Sequence, residues 1–260
     1  MIFRLRIATS LIVFFLINSF AMAQPHDPAL KLHLIQTQRH LVAVMAYFHL
    51  YQSSNGDKQY TRALTDHLLA CKERLEQLRG ELKHKGLEAE SSNMQSQWNF
   101  MAQSLNSSMA SLKRGGFLEQ TVDARYRESA KSLYTSLVQL NSTLFPQSAS
   151  QAMPGWEQLA RLSLLMQQMS LRYLDDSWIQ SGVRADLTLE QMALLFDRQL
   201  QQLEHAPHSD EVTATLKDVR SKWNILGRTM VSDPDHPVPF LVTRYGDNIV
   251  EHLQALIEVN

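Results

Sequence analysis

Apolar residues recur along the chain at alternating steps of three and four, the spacing that lines one face of an α-helix. The first stripe carries Leu34, Leu41, Met45 and Phe48. The second carries Leu64, Leu68, Cys71, Leu75, Leu78 and Leu82. The third holds Met94, Trp98, Met101 and Leu105, and the fourth runs from Tyr126 through Ala130, Leu133, Leu137 and Leu140 to Leu144. Turn formers separate them: Asn55-Gly56, Gly80 and Gly86, Gly115-Gly116, then Pro146. After Pro154-Gly155 the pattern restarts. A fifth stripe holds Leu159, Leu162, Met166, Met169 and Tyr173, and a sixth, after Gly182, holds Leu189, Met192, Phe196 and Leu203. The seventh has Val212, Leu216, Val219, Trp223, Leu226 and Met230, with Ser209 as its expected N-cap. The eighth follows Pro234, Pro237 and Pro239 and carries Tyr245, Ile249, Leu256 and Val259.

Short matches link the two sets of four. Ser-x-Trp-Asn occurs at Ser96 and again at Ser221, 125 positions on. Gly56 and Gly182 match at 126, as do Leu68-Leu69 and Leu194-Leu195. Arg125-Tyr126 matches Arg244-Tyr245 at 119, which needs a shorter turn before the last helix. Repeats of this kind point to duplicated supersecondary units. The expected fold is all-α, with two tandem antiparallel four-helix units at residues 24–146 and 155–260 and a linker at 147–154.

Composition agrees with helices: Gly and Pro number 9 and 8 in 260 residues, and neither interrupts the stripes often. The first 23 residues read differently. Arg4 and Arg6 precede an apolar run from Leu11 to Ile17, and Ala21-Met22-Ala23 follows. That is the layout of a secretory signal peptide cleaved after Ala23, which implies a periplasmic or secreted protein. Cleavage moves the formal charge from −1 to 23 − 26 = −3. No basic excess remains, so nucleic acid is excluded as an expected partner. The single Cys71 lies on an apolar stripe and reads as a small buried hydrophobe.

The residues that stand out are those present in both sets. Trp98 and Trp223 sit on apolar stripes and read as core side chains, with ligand stacking as the alternative. Asn99 and Asn224 lie one place off the stripe. Arg125 and Arg244 flank Tyr126 and Tyr245; each guanidinium has either a structural role at the core boundary or a role in an anion site. His33 and His40 are seven apart, a poor spacing for one metal ion, and His205 and His208 fall in an acidic turn with Glu204, Asp210 and Glu211. No metal or cofactor is expected. No Gly-rich phosphate loop, nucleophile elbow or apolar carboxylate pair is present, so the chain is not expected to be an enzyme.

The first helix, LIQTQRHLVAVMAYFHL from Leu34, and the fifth, LARLSLLMQQMSLRYL from Leu159, resemble the signature helix of PilJ-type chemotaxis transducer N-terminal domains, related to the sensor domain of NarX-type nitrate kinases. The family pattern is roughly L-A-G-x-Q-R-M-L-S-Q-R-M. The first helix retains Gln38-Arg39, Leu41 and Met45; the fifth retains Leu159-Ala160, Met166 and Gln168. The position of the motif arginine is Arg39 in one and Leu164 in the other, and that of the motif glycine is Gln36 or Arg161. The resemblance implies four-helix sensory units, with Arg39 the residue placed to inherit an anion contact.

The expected function is that of an exported, soluble, sensor-like helical bundle. It would bind a small molecule, an anion or a protein and act through an envelope or membrane partner, with Arg39, Arg125 and Arg244 as candidate ligand residues. The alternative is a periplasmic adaptor or assembly protein without a small ligand. Oligomeric state is left open. Exported protein is expected to begin at Gln24; N-terminal sequencing that returned Met1 would overturn the signal-peptide reading.

Overall fold

The computed structural model describes residues 27–116, 118–146, 153–175, 186–232 and 238–259. The segment expected to be a signal peptide, residues 1–23, lies outside them, as do linker residues 147–152, Gly182, Pro234, Pro237 and Asn260. All regular structure among the described residues is helical: α1 (Pro28–Ser53), α2 (Lys58–His84), α3 (Glu88–Gly115), α4 (Gln120–Leu144), α5 (Gly155–Leu174), α6 (Leu189–His205), α7 (Asp210–Ser232) and α8 (Pro239–Val259). None is long and apolar enough to cross a membrane.

Local chemistry explains most boundaries. Asp27 caps α1 by accepting from the Leu30 N–H, with Pro28 in the first turn, where its missing donor is harmless. Thr188 and Gln191 form a reciprocal capping box on α6. The Ser209 Oγ accepts from the Val212 N–H at 3.4 Å, as expected of an N-cap. Gly116 ends α3 at φ 68, a backbone angle that favours glycine. Gly80 does not break α2, which continues to His84 and stops at Lys85-Gly86. A single helical glycine costs only about 1 kcal/mol, less than the packing of the surrounding stripe provides.

Helices α1 to α4 touch in a ring, and so do α5 to α8. The rings meet through α1 and α5, which pack directly on each other. These two run parallel and nearly in register. Lys31 near the start of α1 pairs with Glu157 near the start of α5, while His49 near the end of α1 pairs with Asp175 just past the end of α5. Their position explains their burial. Helix α1 buries 16 of its 26 residues, including every residue from Leu41 to Phe48, whereas α2 buries 5 of 27. A helix apolar on all sides has partners on all sides. The apolar cores follow the same plan. One cluster joins α1 to α4 and takes in Leu171 of α5; the other joins α5 to α8 and takes in Ile35 of α1.

Burial recurs at fixed offsets between the two rings. At 125, buried Leu34 matches Leu159, Leu41 matches Met166, Leu75 matches Leu200, Leu78 matches Leu203, and Trp98 matches Trp223. The last helices coincide best at 116: Tyr126 with Val242, Leu133 with Ile249, Leu137 with Leu253 and Leu140 with Leu256. This differs from the registers expected above. At 119, the fully buried Tyr126 would match the half-buried Tyr245. At 126, Leu68, which packs on the core, would match Leu194, which is 67 % exposed. For the last helices the physical reason is that a slip of three residues nearly completes a helical turn and keeps the apolar face aligned. Short identities such as Arg-Tyr therefore do not choose between registers.

Helix α8 approaches α5 closely at Gly246, where a Cβ would come within 2.8 Å of the Ser170 Oγ. Gly246→Ala sets an intrinsic helical gain of up to about 1 kcal/mol against this overlap. In a double-mutant cycle the substitution is expected to be better tolerated alongside Ser170→Ala, with a coupling of about 1 kcal/mol in denaturant melts. Strictly additive effects would rule out the tight approach.

Candidate functional site

The α1–α5 pair has two sides, because each helix has one neighbour on either side. Helices α2 and α8 flank one, and α4 and α6 the other. Polar residues fasten both. On the α4/α6 side, Gln38 donates to the Leu137 carbonyl at 3.2 Å and Gln168 to the Tyr134 hydroxyl at 2.7 Å. At one end of the pair, Glu157 holds Lys31 and Arg161 at 2.7 and 2.8 Å. At the other, Arg127 bridges Asp123 and Asp175, each at 2.8 Å.

The α2/α8 side holds the densest ionisable cluster. His40 and Tyr47 are seven apart, two turns of α1, and so project from one face. His67 of α2 stacks on Tyr47, ring centroids 5.2 Å apart, and its Nδ1 lies 3.4 Å from the Nδ1 of His40. The Tyr47 hydroxyl donates to Asp247 of α8, whose other carboxylate oxygen accepts from Gln167 Nε2 of α5 at 3.2 Å. Arg39 Nη2 donates to His40 Nε2 at 2.8 Å, while Arg39 Nε is buried and bonds no described residue. Four helices thus converge on one small volume.

Its electrostatics follow from burial and an excess of cations. Burial, then the neighbouring Arg74 charge, lowers the Arg39 guanidinium to about 10. Burial and the Arg39 charge push His67 down to about 4, and the same causes with His67 and Arg74 push His40 down to about 2. Both imidazoles are therefore neutral near pH 7. Burial raises the Asp247 carboxyl, opposed by its bonds from Tyr47 and Gln167 and by Arg39. The Tyr47 hydroxyl is raised by burial and by Asp247.

Of the arginines expected as ligand residues, only Arg39 lies in this cluster. Arg125 and Arg244 are exposed, and neither guanidinium bonds to any described residue. The expected bond from each to an adjacent helix is absent there, because one place off the stripe points the side chain outward. Two residues on, Arg127 makes the interhelical pair instead. Trp98 and Trp223 are buried, on α3 and α7, and Trp223 Nε1 donates to Asp197 at 3.2 Å. Asn99 and Asn224 are exposed, and Asn99 accepts from Gln95. Cys71 is fully buried, and burial raises its thiol. His33 meets Glu81, while His205 and His208 bond backbone carbonyls. No three potential metal ligands come together among the described residues. Two surface grooves of about 210 and 180 Å³ lie between α3 and α4 and include none of the three arginines.

Sequence reasoning missed His67, Tyr47, Asp247 and Gln167. The single available signal was the spacing of His40 and Tyr47 on one helical face. No family model, characterised protein or solved structure matches the chain.

The imidazole pair makes acid sensitivity predictable. Both folded values lie below the ordinary 6.5, so the unfolded chain binds more protons as pH falls below 6.5. The stabilising contribution is complete above 6.5 and declines through 4 toward 2. Asp247, with its raised value, acts in the opposite sense, stabilising below its ordinary 3.8. Denaturant melts are expected to show stability falling below 6.5. His40→Leu with His67→Met, the residue types at the matching places Leu165 and Met192, should flatten that decline. An unchanged slope would show that the pair is not the cause.

Proposed function

We propose that this protein is a tandem-duplicated, sensor-like helical bundle of the cell envelope that receives a small anion at Arg39 and acts through a membrane partner. One observation carries the reading. A mostly buried guanidinium whose Nε bonds no described residue sits beside a second cation, Arg74, where the imidazoles are neutral and the Asp247 carboxyl is raised toward its neutral form. Buried charge without full compensation is costly, and an anion would supply the missing partner. A ligand there would bear on α1 and α8 together, and so on both rings. The recurrence of burial at 125 through most of the chain and at 116 in the last helices supports the duplication, and Gln38-Arg39 in α1 supports the PilJ-type resemblance. The leader-like first 23 residues support the envelope address.

A second reading, that of an adaptor, is favoured by a separate observation. Leu69 and Leu194 are 56 % and 67 % exposed at an offset of 125, and Phe100 and Ile225 are 50 % and 47 % exposed at the same offset. Large apolar residues held out at matching places fit protein contacts. Capture from envelope extracts by the native chain, lost on Leu69→Glu with Leu194→Glu, would support the adaptor reading.

Sodium nitrate and sodium acetate test the anion reading by thermal shift. A ligand at a hundred times its Kd stabilises the native state by about 2.7 kcal/mol. Arg39→Met is expected to abolish the shift. Arg125→Met and Arg244→Met should preserve it and change stability by less than about 0.5 kcal/mol, as surface substitutions do. Loss of the shift in either of the latter, with Arg39→Met unaffected, would move the site to those arginines.

A further inference from the structure

The matching side of the α1–α5 pair shows what is special about the cluster. At the offset of 125, Arg39 corresponds to Leu164, His40 to Leu165, Tyr47 to Arg172 and His67 to Met192. The correspondence is spatial as well. Tyr47 touches His67 on one side, and Arg172 Nη1 lies 3.9 Å from Met192 Sδ on the other. Leu165 and Met192 are buried there, at 4 % and 0 % exposure. Apolar side chains fill on one side what an Arg-His-His chain occupies on the other. Packing alone is thus satisfied by Leu and Met, and the ionisable chain has another use.

Its hydrogen bonds fix where the protons are. Arginine has only donors, so His40 Nε2 must accept from Arg39 and carries no hydrogen. A neutral His40 then keeps its hydrogen on Nδ1, which points at His67 Nδ1. His67 accepts there and keeps its own hydrogen on Nε2. The order Arg39 → His40 → His67 runs in one direction, and Arg39 sets it.

We propose that anion binding at Arg39 is coupled to uptake of one proton by the His40–His67 pair, so that the site loads more readily in acid. The proposal rests on the anion reading above. The steps balance. The Arg39 Nη2–H bond to His40 Nε2 breaks, and Arg39 donates to the anion instead. The freed Nε2 lone pair takes one proton from solvent, and the added positive charge on the pair offsets the negative charge of the anion. The surrounding groups are compatible with this change. On α1 the pair faces Arg39 and Tyr47, and on α2 it faces Arg74 and Asp66. Helix α8 brings Asp247, with Glu251 behind it, and α5 brings the neutral Gln167. Burial is the first cause of the suppressed imidazoles and the Arg39 charge the second, so partial neutralisation of that charge by the anion raises their proton affinity.

The test is calorimetry of the mature chain with sodium nitrate and with sodium acetate at about pH 6 and about pH 7.5, in buffers of differing ionisation enthalpy. Both probes stay ionised there. Uptake of one proton strengthens binding by up to about tenfold per pH unit, and the measured heat then varies with the buffer. His40→Leu, which copies the residue at the matching place, is expected to remove the buffer dependence. Nitrogen NMR of the unmodified chain provides a measurement that needs no variant: unliganded His40 should carry its proton on Nδ1. Binding at equal strength at both pH values without buffer dependence would overturn the coupling and leave the anion reading in place. Absence of heat from either salt at both pH values would overturn both. A His40 proton found on Nε2 would overturn the hydrogen-bond order on which the coupling depends.

Discussion

The parallel contact between α1 and α5 is the constraint on which the rest of the structure depends. A helix in the middle of such an assembly must be apolar or internally bonded on nearly every face, because no side is left to water. Helix α1 meets this with an unbroken buried run from Leu41 to Phe48, and α5 with one from Leu165 to Leu171. The outer helices need only one stripe each and remain polar elsewhere. Parallel alignment also places the two helix starts together and the two ends together. Each end is closed by a shared carboxylate: Glu157 holds Lys31 and Arg161 at one, and Asp175 meets Arg127 and His49 at the other. Such pairs contribute more to register than to net stability, since burying both charges offsets much of their attraction.

Similar rings on the two sides of this pair make the difference between the sides informative. The α4/α6 side has Leu164, Leu165, Met192 and Arg172 at the places that Arg39, His40, His67 and Tyr47 take on the α2/α8 side, where Asp247 joins them. Buried polar groups are tolerated when each has a partner, and most here do. Arg39 Nε has none among the described residues, and Arg74 adds a like charge nearby. That imbalance gives the proposed anion site its location.

Function would then follow from geometry. The cluster draws on α1, α2, α5 and α8, so any change in its charge acts on the contact between the two rings. Gly246 lets α8 lie close against α5 beside Asp247, which ties the position of that carboxyl to the packing of the central pair. The exposed pairs Leu69/Leu194 and Phe100/Ile225 lie on outer helices, where a protein partner could dock without entering the core.

The sequence by itself determined the helical class, the eight stripes and most of their ends. These depend on local rules: periodicity, capping residues and turn formers act within a few positions. It also marked Trp98 and Trp223 as buried, and singled out Arg39 through the resemblance of its helix. The stripe positions of α1 were legible, but the burial of Val42, Val44 and Ala46, which lie off that stripe, was not read from it. Only the tertiary structure decided which helix that partner was, that α1 and α5 run parallel, and that Arg125 and Arg244 face water. It alone brought His67 and Asp247 to Tyr47, across 20 and 200 positions of chain. Helical periodicity says which residues share a face. It carries no information on which faces meet, because any two apolar stripes can pack, and the choice depends on the whole set of side chains competing for the same contacts.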